Sequence, residues 1–181
     1  MGQERGRLEK GYVQVYTGNC KGKTTAAMGL AFRAMGSGMK TYMGQFMKGQ
    51  EYGELHSAEM VKPWITIEQY GRKELIHVTK PPLQEDVDMA QAGLLKALQA
   101  MHSGEYDIIV FDEILTAHFF QLVSIEDMLN VMKAKPENVE VVFTGRYAPQ
   151  EIIDAADLVT EMVEVKHYFE KGVDARKGIE R

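Results

Sequence analysis

Apolar residues recur along this chain in two rhythms. In short stretches they alternate with polar residues or run continuously, as in strands; in longer stretches they return every third or fourth position, as in helices facing a core. Val13 and Val15 alternate with Tyr12, Gln14 and Tyr16 in a first strand, and a helix from Thr24 runs through Met28, Leu30, Ala31 and Met35 to a stop at Gly36 and Gly38. A second strand covers residues 41–46. Residues 48–59 mix glycine, charge and polar side chains and read as a loop above the carboxyl edge of the sheet. Ile65, Ile67 and Gln69 oppose Thr66, Glu68 and Tyr70 in a third strand, and residues 71–82 form a basic connection, either a lid or a plain crossover. In residues 85–102, Ala90, Leu94, Leu95, Leu98 and Met101 make one apolar helical stripe. Residues 106–111 are a nearly continuous apolar run, the mark of a strand buried on both faces. Ser124 and Asp127 form a capping box before a helix carrying Met128, Leu129 and Met132, and Val139, Val141, Val142 and Phe143 make another buried strand. Pro149 opens a short helix with Ile152 and Ile153, a last strand spans 158–165, and a tail of mixed charge folds back or dangles. Strands alternating with helices, without repeats, predict an α/β protein with an open, mostly parallel sheet and helices on both faces.

The turn between the first strand and the first helix carries the clearest chemistry. It reads TGNCKGKTTAA from Thr17, and the phosphate-loop pattern G-x-x-x-x-G-K-[ST] is met at Gly22, Lys23 and Thr24, with Thr17 in place of the first glycine. Glycines at 18 and 22 let backbone N–H groups point inward, and the helix adds the positive end of its dipole, so the turn is a cradle for phosphates. Lys23 would neutralise phosphate oxygens and Thr24 would ligate the Mg2+ that accompanies a nucleotide. Asp112 and Glu113, delivered at the end of an apolar strand, supply the carboxylate such sites place near the magnesium. Arg146, just past another strand, either reaches the triphosphate or is solvated. These features predict a phosphate-loop (P-loop) nucleotide-binding fold, which by itself does not choose a reaction.

Composition narrows the setting. The 181 residues suffice for one core, and a single domain over 1–181 is expected, with residues 1–11 as a flexible arm. A net charge of −5, from 26 acidic and 21 basic residues, argues against nucleic acid as a partner. No apolar run long enough for a membrane span occurs and the first residues are charged, so no membrane association and a cytoplasmic protein are expected. The one cysteine, Cys20, excludes an internal disulfide and suggests no zinc site; it lies within the loop as a small side chain that fits there.

Several segments together, TGNCKGKTTAAMGLAFRA, GQFMKG, FDEI, SIEDMLNVMKAKPENVEVVFTGRYAP and ADLVTEMVEVKHYFEKGVDARKGIE, resemble the cob(I)alamin (corrinoid) adenosyltransferases of the ATP:corrinoid type. The resemblance implies that cobalt(I) of a corrinoid attacks the 5′ carbon of ATP, giving an adenosylated corrinoid and triphosphate. It implies ATP and Mg2+ at the loop, with Gly18, Asn19, Cys20, Lys21, Gly22, Lys23 and Thr24 around the triphosphate. Thr24, Glu113 and, as a second carboxylate, Asp112 would be at the metal, with Thr25, Arg33 and Arg146 as further nucleotide contacts. It also implies a homodimer and a reducing flavoprotein partner, and an acceptor that is cobalamin or a cobyrinic or cobinamide-type precursor. Better known members carry a Phe-x-Trp pair after the third strand. This chain has Gly71-Arg-Lys-Glu-Leu-Ile-His77 there, so Leu75, Ile76, His77, Phe46, Tyr70 and the 48–54 loop are its corrin-side candidates. Two alternatives remain: an ATPase or GTPase using Glu113 to position water, and a non-catalytic corrinoid-binding protein that responds to nucleotide.

Overall fold

The computed structural model describes residues 7–73 and 81–180. The chain runs β1 (Val13–Thr17), α1 (Lys23–Gly36), β2 (Thr41–Phe46), α2 (Gly53–Met60), β3 (Ile65–Tyr70) and α3 (Gln84–His102), then β4 (Ile108–Asp112), α4 (Ile114–Phe119) and α5 (Ile125–Ala134). It ends with β5 (Glu140–Thr144), α6 (Gln150–Ala155), β6 (Leu158–Glu161) and a 3-10 turn at Tyr168–Lys171. The six strands form one sheet in the order β3-β2-β4-β5-β1-β6, and every neighbouring pair is parallel. All carboxyl ends therefore lie along one edge, and each return to the sheet needs a crossover.

The strand pattern explains the two layers. Along β4, Ile109 and Phe111 point to one face, where they join Leu94, Ala97 and Met101 of α3, Met128 and Val131 of α5, and Ile152 of α6. Ile108 and Val110 point to the other face and meet Ala27 and Ala34 of α1 with Met43 and Val142. Burial on both faces is why the sequence of β4 is a continuous apolar run rather than an alternation. The capping box forms as expected: Ser124 Oγ accepts from Asp127 N at 3.0 Å, and Asp127 Oδ2 accepts from Ser124 N at 2.9 Å.

Several expectations are corrected. Residues 53–60, read as loop, form α2, and α4 follows β4 where no helix was expected. The last strand stops at Glu161 instead of running to 165. Leu95, counted in the α3 stripe, is 61% exposed. Of the two readings left open for the tail, the structure has it folded back: Tyr168 and Arg176 both hydrogen-bond the Glu180 carboxylate. Gly11, placed at the end of a flexible arm, is buried against Val139 and donates its N–H to Glu137 O at 2.7 Å. In the 71–82 connection, Arg72 grips Asp86 through two bonds of 2.7 and 2.8 Å, tying the end of β3 to the start of α3. Leu75, Ile76 and His77 lie outside the described residues.

Candidate active site

Three of the four non-glycine residues with left-handed φ among the described residues lie just past strands at the carboxyl edge of the sheet, the fourth being Gln121 after α4. Met47, Glu113 and Tyr147 follow β2, β4 and β5 and hold left-handed φ values of 59°, 64° and 61°. Such values cost non-glycine residues energy and are retained where surrounding contacts demand them. Next to them, the turn from β1 into α1 uses Gly18 at φ 100° and Gly22 at φ 129°. A Cβ at Gly18 would stand 2.4 Å from Met162 O, so only glycine fits beneath the segment leaving β6. That segment also fixes the loop, since Cys20 N donates to Met162 O at 3.1 Å and Met162 N to Thr17 O at 2.9 Å.

Lys23 begins α1 and is buried. Its ammonium donates to Gly18 O and Cys20 O, both at 2.8 Å, and so spans the mouth of the loop. Burial pulls its pKa below the usual lysine value, an effect that the Glu113 charge opposes. Thr24 Oγ1 donates to Asp112 Oδ1 at 2.8 Å. Asp112 is fully buried and takes three further bonds, from Thr144 Oγ1 (2.7 Å), Gln45 Nε2 (3.2 Å) and Lys48 Nζ (2.8 Å). The left-handed turn at Glu113 sends its carboxylate elsewhere, to accept from Thr116 Oγ1 at 2.5 Å, while its N–H donates to Thr144 Oγ1 at 2.9 Å. The two adjacent acids thus have different surroundings: Asp112 touches Thr24, and Glu113 lies on the side of α4.

Lys48 sits between carboxylates, its Nζ 2.8 Å from Asp112 and 3.7 Å from Glu54, and 5.4 Å from the centre of the Tyr52 ring. Burial alone would lower its pKa, but Asp112 and then Glu54 together hold it above the ordinary lysine value.

A cleft of about 590 Å³ opens over these groups. Cys20, Lys21, Gly22, Lys23, Thr24 and Thr25 form its floor, Lys48, Tyr52 and Glu54 one wall, and Glu113 and Arg146 another. The sequence-predicted residues Gly18 and Asn19 belong to the same loop, with Asn19 exposed, and Asp112 lies buried behind Thr24. Arg33 is not brought to the cleft: it is exposed in the last turn of α1, close enough to Tyr16 to act on its hydroxyl. Phe46 and Tyr70, considered for the corrin side, are core residues 0% and 5% exposed. Sequence reasoning missed the tail, which brings His167, Ile179 and Glu180 to the cleft, with Glu180 3.6 Å from Lys21. It also missed Gln45 and Thr144, though a glutamine inside a buried strand was a signal.

Among the described residues no cluster of three or more His, Cys, Asp or Glu could hold a metal by itself. Mg2+ rarely asks for one, since it is held by one or two protein oxygens together with the phosphates. Thr24 and Asp112 fit that mode, because the threonine gives its proton to the carboxylate and keeps its lone pairs. Among the described residues no helix is long and apolar enough to cross a membrane.

The solved structure of the flagellar accessory protein FlaH from Methanocaldococcus jannaschii superposes with a TM-score of 0.56 at 14% identity, covering 85% of this chain and 72% of that one, which is a likeness of fold alone. Sequence comparison is more specific. A corrinoid adenosyltransferase of Pseudomonas aeruginosa is 34% identical over 184 residues, covering 96% of this chain and 85% of that protein. The corrinoid adenosyltransferase CobA of Salmonella typhimurium is 33% identical over 180 residues, covering 95% and 86%. The profile of the family described as ATP:corrinoid adenosyltransferase BtuR/CobO/CobP matches residues 9–181. The ATPase, GTPase and non-catalytic readings are accordingly not favoured: the chain belongs to the ATP:corrinoid adenosyltransferase family and transfers the adenosyl group of ATP to a corrinoid.

Proposed function

We propose that the loop of residues 18–24 holds the triphosphate of ATP, with the nucleoside 5′ carbon presented to the cobalt of a corrinoid above the cleft. The observation that carries this reading is the buried Lys23 ammonium, centred among the carbonyls of a loop whose glycines turn its backbone inward. Cobalt(I) of the substrate supplies the electron pair of the new cobalt–carbon bond. The bond from C5′ to the triphosphate oxygen breaks, and its pair leaves with triphosphate.

The chain needs no general base for this step. Its work is to hold C5′ in line with cobalt and to stabilise the charge on the leaving group. Lys23 and the N-terminal amides of α1 act at the loop, and Lys21 and Arg146 add positive charge from the rim of the cleft. Thr24 and Asp112 would hold Mg2+, with Glu113 the next carboxylate along. Bound there, Mg2+ would further neutralise the departing triphosphate.

On the corrin side, the Phe-x-Trp pair has no counterpart in the sequence of residues 71–77. Phe119 and Tyr147, with ring centres 4.3 Å apart and 39% and 50% exposed, offer an aromatic surface beside Arg146 at the same edge. We assign them to the corrin face. A homodimer is supported by the edge strand β6, where Leu158 and Val159 are 49% and 37% exposed. The family likeness supports a flavoprotein as the source of electrons for cobalt.

The test is an anaerobic incubation of the protein with ATP, Mg2+ and chemically reduced cob(I)alamin, repeated with cob(I)inamide and reduced cobyrinic acid a,c-diamide. A light-sensitive alkylcorrinoid spectrum with one triphosphate per turnover is expected, and the fastest acceptor identifies the physiological class. Orthophosphate with an unchanged corrin spectrum would overturn the assignment of the loop to adenosyl transfer.

A further inference from the structure

Asp112 is fully buried, and Glu54 beside it is 13% exposed in its side chain. Gln45 Nε2 bridges the two carboxylates, at 3.1 Å from Glu54 Oε1 and 3.2 Å from Asp112 Oδ2. Between them lies Lys48 Nζ, 2.8 Å from Asp112. A buried carboxylate, a second one partly exposed at the cleft wall and a threonine hydroxyl are hard oxygen donors, and without a countercharge they would attract a divalent cation from solution. The ammonium of Lys48 supplies that countercharge from within the chain. Its position is built in: the left-handed turn at Met47 folds the backbone back at the end of β2, carrying Lys48 toward the last residue of β4. It also has a second place to go, because Glu54 and the face of Tyr52, both on the cleft wall, lie 3.7 and 5.4 Å from the same nitrogen.

We propose that Lys48 is a resident stand-in for the divalent cation, which keeps the Asp112 site closed to free metal and yields it only when the cation arrives with ATP. The inference rests on the assignment of Mg2+ to Thr24 and Asp112. A free cation would have to displace an ammonium from a buried ion pair with only the carboxylates in return. A cation already bound to triphosphate brings a polyanion that takes up the released positive charge, so the exchange becomes favourable. Metal and nucleotide thereby enter together, and the acids of the cleft are not left to collect calcium or transition metals.

The test uses Mn2+ as probe, counted as bound ion by electron paramagnetic resonance, with no nucleotide present. Wild-type protein should bind Mn2+ weakly, and Lys48→Met should bind it roughly tenfold more tightly or better, as removal of a like charge at a few ångströms requires. Adding Asp112→Asn to Lys48→Met should abolish the gain. Equal Mn2+ affinity in wild type and in folded Lys48→Met would overturn the proposal. A second readout works on the wild type should Lys48→Met not fold. The side-chain ammonium resonance of 15N-labelled Lys48, identified by its loss in Lys48→Arg, should move when Mg2+ and ATP are added together and stay in place with Mg2+ alone. Movement with Mg2+ alone would overturn the proposal. The underlying metal assignment fails separately, if Asp112→Asn binds Mn2+ with ATP as tightly as wild type does.

Discussion

The Thr24 hydroxyl donates to Asp112 Oδ1 across 2.8 Å, joining the first turn of α1 to the last residue of β4. Glu113, one position on, makes its side-chain bond to Thr116 instead. Substituting the two acids should therefore separate them. Asp112→Asn is expected to lower turnover by about 10²-fold and raise the Mg2+ requirement, as loss of a group holding transition-state charge does. Glu113→Gln should have the smaller effect. Metal titrations of triphosphate release check both, and a larger effect at Glu113 would reverse their roles.

Lys23→Ala removes the ammonium that spans the loop between Gly18 O and Cys20 O. Turnover with ATP should fall by about 10²–10³-fold, since the leaving triphosphate loses its nearest buried charge. Triphosphate release at saturating corrinoid is the measurement, and unchanged turnover would take the loop out of the mechanism.

Tyr147→Ala removes half of the exposed aromatic pair at the sheet edge. A stacking surface for the corrin predicts a KM for the corrinoid raised about tenfold, within the range of an aromatic contact, with the KM for ATP unchanged. A shift confined to ATP would place Tyr147 on the nucleotide side.

Gly93 lies against the ring of Tyr70: a Cβ there would stand 2.2 Å from Tyr70 Cγ. The ring has little room to step aside, because Gly44 also packs against it and its hydroxyl is bonded to that of Tyr42. Gly93→Ala should cost about 1–3 kcal/mol of stability by overpacking, measured by urea denaturation, with little change in the KM for ATP.

Much of the candidate phosphate-binding loop was legible because it is local. Gly22, Lys23 and Thr24 are contiguous, and their chemistry follows from backbone freedom and charge within one turn. Asp112 and Glu113 were legible as a pair at a strand end, but the choice between them depends on a left-handed φ at Glu113 and on Thr144, 31 residues away from it. Lys48 was visible as part of GQFMKG, yet its acid partner is 64 positions off and only strand pairing brings them together. Helix α2 gave no periodic signal because only Ala58 of its eight residues is buried. Phe46 and Tyr70 looked available because a strand-end aromatic reads alike whether it faces ligand or core; the order β3-β2-β4 puts β2 inside the sheet and settles Phe46 as core.

The tail gives a pH prediction. Hydrogen bonds from the Arg176 side chain first, then from Tyr168 and the Arg176 N–H, hold the Glu180 carboxyl at about 2, below its ordinary 4.5. A carboxyl lowered by folding contributes fully above its unfolded value and loses that contribution as pH falls through the folded one. Order in residues 168–180 should therefore be constant above pH 4.5 and fade toward pH 2. Hydrogen exchange of those amides across this window is the measurement, and Glu180→Gln should exchange rapidly throughout. A pH-independent profile in both proteins would mean the tail is held by other contacts.

The left-handed residues Met47, Glu113 and Tyr147 mark what this fold gives up for its reaction. Each sits where glycine would relieve the backbone, and each is the hinge on which a neighbouring or its own side chain is aimed at the cleft. Selection for heat resistance alone would tend to relax these three peptide units, and a screen for stabilised variants should enrich for changes there that fold better and catalyse worse. In this enzyme, durability and turnover compete at the ends of three strands, and the well-packed layers behind them are where an engineer can add stability without touching the chemistry.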